Sequence, residues 1–503
     1  MPYQLFGDLS LSLLARVVPG LLSFAAIPFL VSLLGAERYA SVGFFQTMQM
    51  IVGLLDMGLS VAATKHAAWL TGTNASGEKF WRLLLTLERF FLIVCGGLVL
   101  VGVFSGRELL HLIFQGDLAA AGVDRVVGAL LVCAIAVRFP FSLYAGYLAG
   151  RGQLNTANLI VLLSDTARVG GAILVLLLTN GSLAAFFLWH IFASLAADFA
   201  GAWASRRSIP AGELAGGPDW AVLREVEGLA LSSGVLTLMF LAANTLDKVV
   251  LPRFVSAREY GLYIAVSQLA LIANVIVQTV WTTMHPKLLA SLAQGVNDDN
   301  RAQFQLMLSL MTGVCAAGIS LCWIAGPALL PIWIWGGSLN GELSKVLTLL
   351  VVGYAAAALM MPSLTIQQTV NSVWPTVLNL AVALAAMIAV WSSILRQVDM
   401  VSVAAVWAGV YVVSFMLSGF TYVNFDRRIF VDWVGKAVAP LVLTIGVSAL
   451  LSQWTDRAGS AIQIAAGFGL ALACGVVSLG ASVEVRRWCS IVARRLIAAR
   501  VDD

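Results

Sequence analysis

The chain has 503 residues, 60% of them hydrophobic and 11% charged, with a mean hydropathy of +0.91. Soluble domains carry roughly a quarter charged residues, so this is the composition of a bilayer protein, and its long unbroken apolar runs exclude a β-barrel, which would alternate in short segments. A formal charge of +4 is too small to suggest a nucleic-acid partner, and the six cysteines (Cys95, Cys133, Cys315, Cys322, Cys474, Cys489) show neither metal-type pairs nor a disulfide framework.

Met1-Pro-Tyr-Gln opens without a basic segment or a small-residue cleavage site, so the first helix is expected to stay in the mature chain. Bilayer-length apolar runs predict an all-α polytopic membrane protein of about fourteen transmembrane helices. They fall at 9–34, 39–64, 84–105, 126–149, 155–178, 182–201, 228–253, 259–284, 304–326, 343–368, 373–395, 400–421, 433–452 and 459–482. A cytoplasmic N-terminus places about 17 Lys/Arg in inner loops and ends against about 8 outside, so the expected orientation is N-in, C-in. The segment 202–227, with Arg206-Arg207-Ser-Ile-Pro and Gly216-Gly-Pro-Asp-Trp220, has the composition of a linker. The expected units are 1–201 (helices one to six), the cytoplasmic linker 202–227, 228–421 (helices seven to twelve) and 422–483 (two further helices). A tail, 484–503, sets Arg486, Arg487, Arg494 and Arg495 against Val485, Trp488, Val492 and Leu496 at helical spacing, a basic amphipathic helix suited to an anionic leaflet.

Ionisable groups inside the spans come next, because a charge in hydrocarbon costs several kcal/mol unless it faces a partner or a wet cavity. Arg16 and Asp56 sit at similar depth on the first two helices and suit a pair, as a gate or a helix clasp. Glu88 and Arg89 begin the third span near the inner surface, where they can snorkel. Arg138 and Pro140 fall near the middle of the fourth span, Asp165 and Arg168 near the middle of the fifth. Asp165 and Arg168 are three apart and share a helix face, so an internal salt bridge is the simplest account of them. It leaves Arg138 over. Two arginines against one aspartate leave a net positive centre that suits an anionic guest such as a phosphate. His190 and Asp198 of the sixth span share a face and form a weak candidate proton relay. Asn244 and Asp247 of the seventh could couple an ion (Na⁺ or H⁺), or Asp247 could simply be neutralised by the adjacent Lys248 near the surface. Pro331-Ile-Trp333-Ile-Trp335 has the look of an interfacial anchor.

The chain also repeats. Ala36-Glu-Arg-Tyr39 returns with its charges exchanged as Ala257-Arg-Glu-Tyr260, an offset of 257 − 36 = 221. Ser142-Leu143 with Ser363-Leu364, Asn158-Leu159 with Asn379-Leu380, and Ile173-Leu174 with Ile394-Leu395 keep that offset. Six helices per copy is an even number, so the copies share an orientation, as in transporters that hold substrate at the midplane. Carrying Arg138, Asp165 and Arg168 forward by 221 gives Leu359, Ala386 and Ala389. One copy is charged; the other offers amides (Gln268, Asn274, Gln278, Gln367, Gln368).

No Walker loop, His-Glu-x-x-His, Gly-x-Ser-x-Gly or paired Cys-x-x-Cys occurs, so no enzyme active site, cofactor or metal site is expected. Arg16 through Lys65, with Leu33-Leu-Gly35-Ala-Glu-Arg-Tyr39 and Gly53-Leu-Leu-Asp56-Met-Gly58, resembles the start of bacterial polysaccharide transporters. Asn244-Thr-Leu-Asp247-Lys-Val-Val-Leu251-Pro through Glu259-Tyr260-Gly-Leu-Tyr263 resembles them again. These are the O-antigen flippases, in the superfamily that also holds the lipid II flippase and the multidrug and toxin extrusion antiporters. The resemblance implies two six-helix lobes in a V, two extra C-terminal helices, and flipping of an undecaprenyl-pyrophosphate-linked oligosaccharide across the bacterial inner membrane. The expected head-group residues are Arg138 and Arg168, with Asp165 orienting them; membrane lipids and a polysaccharide polymerase are the other expected partners. A drug or metabolite antiporter and a membrane glycan polymerase or ligase remain the alternatives.

Overall fold

The computed structural model describes residues 2–52, 59–73, 76–114, 121–209, 216–221, 238–334, 341–370, 372–393, 398–455, 457 and 459–480. Every regular element among them is a helix, and eleven are long and apolar enough to cross a bilayer. Val18–Leu34 is a shorter apolar helix. With no water to satisfy backbone groups in hydrocarbon, an open chain must bond within itself, which is what a helix does. The protein is an all-α polytopic membrane protein.

In chain order α1 (Pro2–Leu34), α2 (Ala36–Val52), α3 (Leu59–Gly72) and α4 (Gly77–Phe114) lead to α5 (Arg125–Val137) and α6 (Phe141–Gly150), two halves of one span. α7 (Leu154–Leu178) and α8 (Leu183–Arg207) follow, then α9 (238–250) and the long α10 (Ala257–Leu292). α11 (Asp298–Ser320) runs through a π-turn into α12 (Gly326–Trp333). α13 (Gly341–Leu359) and α14 (Met361–Thr369) again halve one span, before α15 (Trp374–Ser393) and α16 (Met400–Phe425). α17 (Arg427–Trp433) continues by a second π-turn into α18 (Ala439–Thr455), and α19 (Ser460–Gly480) closes the described chain. Polar caps set several starts. The Asp124 carboxylate accepts from Val127 N at 2.7 Å, and Asn297 with Asn300 and Asp399 with Ser402 form reciprocal capping boxes.

The 221-residue repeat is visible in these boundaries. α2 and α10 start 257 − 36 = 221 apart, and α4 and α11 start 298 − 77 = 221 apart. The broken spans also match, with α5 ending at Val137 and α13 at Leu359. At the start of α10 the two copies touch. A Cβ on Gly43 would fall 2.5 Å from Cγ2 of Ile264, and one on Gly261 would run into the Ala36 carbonyl and sit 3.2 Å from Ala40 N. Residues 43 and 264, like 40 and 261, are repeat mates. At Gly261 the α2 backbone comes too close for any side chain, and at Gly43 the Ile264 side chain fills the space a Cβ would need.

The chain gathers into two compact units, Met1–Ile264 and Ala265–Asp503. In the first, Phe80, Leu83, Leu84, Leu87 and Phe91 of α4 bury against Phe139, Leu143 and Tyr147, with Phe91 and Phe139 stacked at 4.6 Å. In the second, Trp407 of α16 packs between Tyr354 and Tyr411 at 4.8 Å each and presses on Gly353 of α13. Arg301 of α11 clasps Asp432 of α17 through two bonds, 2.5 and 2.9 Å, and Gln305 adds a third at 2.8 Å.

Candidate functional site

The break between α5 and α6 has a local cause. Pro140 has no N–H to give Ala136 and its ring crowds that carbonyl. Phe139 N takes Ala136 O instead at 3.1 Å, and Leu143 N takes Pro140 O at 3.1 Å, so residues 138–140 form tight turns. Arg138 caps α5 at this break. α7 passes alongside carrying Asp165 and Arg168, and the three side chains meet. Arg168 Nη2 lies 2.8 Å from Asp165 Oδ1, and Arg138 Nη1 lies 3.6 Å from the same oxygen. Arg168 is the deepest of them, its side chain 8% exposed against 26% for Asp165 and 38% for Arg138.

One carboxylate therefore serves two guanidiniums. The 2.8 Å contact is a close ion pair; at 3.6 Å the second is a looser electrostatic attraction. Arg168 Nε is buried and has no partner. These three side chains together carry one net positive charge and an unspent donor, which suits a further anion. α8 backs it closely. A Cβ at Gly171 would run into the Trp189 indole, whose Nε1 donates to the Arg168 carbonyl at 3.2 Å.

The same helix brings further polar groups toward the cluster. His190, Ser194 and Asp198 recur every four residues on one face of α8. His190 Nδ1 contacts Phe186 O at 2.9 Å, among the rings of Phe45, Phe186 and Phe187. Arg138 lies within electrostatic reach of both His190 and Asp198. Ser194 Oγ and Asp198 Oδ1 are buried without a partner.

Glu88 departs from the sequence expectation. It does not snorkel: it is 8% exposed, accepts from the Tyr144 hydroxyl at 2.7 Å, and takes two 2.8 Å bonds from Arg206 Nη2. Its partners are 56 and 118 residues away, too far for sequence spacing to announce. Nearby, the described part of the 202–227 segment is strapped to α4, with Trp81 Nε1 donating to Gly216 O at 3.3 Å and Asp219 N to Thr86 Oγ1 at 2.8 Å.

Asn244 and Asp247 are engaged separately. Asn244 donates to Phe240 O at 2.7 Å. Asp247 is fully buried, bound by Lys248 Nζ at 3.0 and 3.1 Å and by the Tyr263 hydroxyl at 2.6 Å. Asp247 and Lys248 pair with each other in the interior of the unit, not near the surface. The Arg16 side chain and all of Asp56 lie outside the described residues, as do Trp335 and the tail 484–503. Among the described residues no three His, Cys, Asp or Glu side chains gather as metal ligands.

The second unit has no charged counterpart of this cluster among its described residues. Leu359, the repeat mate of Arg138, is completely buried. The polar side chains of α14, the helix that follows it, are amides and hydroxyls. Gln367 donates to Thr421 Oγ1 at 3.0 Å and accepts from Thr376 N at 3.1 Å, beside a cavity of about 420 Å³ between α14, α15 and α16.

No family model matches the chain, and no curated protein matches it. Its architecture does match solved structures. One is a multidrug resistance MATE family transporter of the MOP superfamily in an inward-facing conformation, with TM-score 0.67 and 14% identity over 84% of this chain and 98% of that one. Another is the lipid II flippase MurJ in an inward closed conformation, with TM-score 0.68 and 12% identity over 93% of this chain and 98% of that one. A third is the MATE multidrug transporter DinF-BH, with TM-score 0.62 and 14% identity over 86% of this chain and 97% of that one. At such identities the likeness shows the fold, which is that of MOP-superfamily transporters.

Proposed function

We propose that the protein is a flippase that moves an undecaprenyl-pyrophosphate-linked oligosaccharide, an O-antigen or related surface-glycan unit, across the bacterial inner membrane by alternating access. It is a transporter in this reading and performs no covalent chemistry. The observation that carries it is the sharing of Asp165 by Arg138 and Arg168, which leaves a positive charge and the unpartnered Arg168 Nε inside a membrane fold. A pyrophosphate satisfies both by bidentate bonds, whereas a small cation would be repelled. MurJ, by its name, flips lipid II, and that supports a lipid-linked substrate here. In this proposal the sequence segments 1–201 and 228–421 act as the two lobes, with N- and C-termini in the cytoplasm. With no nucleotide-binding motif in the sequence, the drive is Na⁺ or H⁺ coupling or the gradient of the lipid itself.

A second reading, an ion-coupled antiporter for drugs or metabolites, is favoured by one feature. Asp198 Oδ1 and Ser194 Oγ are buried and unpartnered, two oxygens whose chemistry suits a coupling ion or proton. Flipping in proteoliposomes separates the two. The purified protein is reconstituted with a fluorescent undecaprenyl-pyrophosphate glycan, and wild type is compared with Arg138→Ala and Arg168→Ala. Translocation by wild type that collapses in both variants is expected. Translocation untouched by either variant would remove the arginine site and keep the flippase. No translocation under Na⁺ or proton gradients would put the antiporter ahead.

A further inference from the structure

Along α10, Asn274, Gln278, Trp281 and His285 are spaced by four, three and four residues, which places them in one stripe on one helix face. All four lie in the second unit. Trp281 and His285 are half-buried and stacked, with ring centroids 4.5 Å apart and planes at 29°. Both rings are fixed from α14. Trp281 Nε1, which can only donate, donates to Thr365 Oγ1 at 3.2 Å, and His285 Nδ1 contacts the same hydroxyl at 2.8 Å. At the other end of the stripe Asn274 Oδ1 is buried with no partner, an acceptor left open.

Two features are hard to explain as packing alone. A Trp–His stack in a bilayer span needs polar groups from another helix to satisfy it, which an apolar pair would not. The repeat mates of the four positions are Gly53, Met57, Ser60 and Thr64 (offset 274 − 53 = 221), so the fold itself does not demand this stripe. Its chemistry is that of carbohydrate recognition: a rigid aromatic face for the apolar C–H side of a pyranose, flanked by carboxamides for hydroxyl and acetamido groups.

We infer that the Asn274–Gln278–Trp281–His285 stripe is a glycan-binding surface, with Trp281 as the stacking platform and the amides reading the equatorial polar groups of a neutral or N-acetylated pyranose. The inference deepens the flippase proposal and rests on it for the lipid that carries the sugar. It assigns sugar and pyrophosphate to different side-chain sets, so that removing one leaves the other.

The test uses the full chain in lipid nanodiscs and two probes, undecaprenyl pyrophosphate alone and the same lipid bearing one N-acetylglucosamine. Wild type is expected to bind the glycosylated lipid about tenfold more tightly than the bare one. Trp281→Leu and Gln278→Leu are expected to reduce that preference to less than about twofold while leaving affinity for the bare lipid unchanged. Trp281→Phe keeps a ring but loses the bond to Thr365, so it retains the preference if the ring is a platform and loses it if Trp281 merely pins α10 to α14. Equal binding of both lipids by wild type, or an unaltered preference in Trp281→Leu, overturns the stripe and leaves the flippase standing. Should wild type bind neither lipid, the flippase proposal falls, and saturation-transfer NMR with soluble diacetylchitobiose decides the stripe. Transfer to the sugar ring protons that vanishes in Trp281→Leu supports it; no transfer overturns it.

Discussion

The break at residues 138–140 and the break at 359–361 are the same backbone feature in two chemical settings. Each halves a membrane span beside a proline, Pro140 or Pro362. In the first unit the break carries Arg138 and faces Asp165 and Arg168; in the second it is plugged by Leu359 and Met360, both buried. Kink and charge are therefore separable. Proline dictates the first through a missing N–H and a crowded carbonyl. The second needs a set of opposite charges, because one unpartnered ion in hydrocarbon is too costly. The second unit does contain a buried carboxylate, Asp432, but three bonds from Arg301 and Gln305 consume it. Asp432 closes a clasp; Asp165 leaves an excess of cation.

Exchanging the two settings should break the contrast most sharply. Leu359→Arg puts a guanidinium into a packed interior with no acid to meet it, and should cost more than about 4 kcal/mol. The expected result is loss of a monodisperse peak on size exclusion in detergent. Asp432→Ala leaves Arg301 without its carboxylate. A cost of about 2 kcal/mol is expected, discounted because Arg301 is 31% exposed, and is read as a lower melting temperature. The reciprocal swap, Arg138→Leu, removes a partly exposed side chain 3.6 Å from its partner, so stability should change by less than about 1 kcal/mol. Pyrophosphate affinity should nevertheless fall about tenfold or more by calorimetry; an unchanged affinity would show that Arg168 alone suffices. The smallest effect belongs to Asp399, outside the spans. Burial alone would raise its pKa, but hydrogen bonds from Ser402 outweigh that and hold it below the ordinary carboxylate value. A depressed folded pKa gives stability that is full above the ordinary range and lost as pH falls through the folded value. Asp399→Ala should therefore cost about 1 kcal/mol or less at neutral pH and nothing in acid, as read from melting temperatures across that pH range.

The kind of element was legible in the sequence because hydrocarbon thickness imposes span length on apolar runs, while about fourteen spans were expected and eleven stand among the described residues. The repeat was legible because helix starts kept the spacing of Ala36 and Ala257. Within the site, Asp165 and Arg168 could be paired from their spacing on one helix, and depth placed Arg138 beside them. Glu88 could not be placed. Its burial depends on Tyr144 and Arg206, which only packing brings near, and intra-helix periodicity carries no such information. Trp281 and His285 were hidden for a related reason. Four apart on an apolar helix they look like core residues, and it is Thr365, 80 residues from His285, that gives them a polar setting.

At the meeting of α2 with the start of α10, each pair of repeat mates is unequal in size: glycine at 43 against isoleucine at 264, alanine at 40 against glycine at 261. Two identical chains crossing about a two-fold axis would have to set glycine on glycine, leaving a void, or isoleucine on isoleucine, a collision. The small member lies on α2 in one pair and on α10 in the other. Such an interlock is open only to copies that are free to mutate independently.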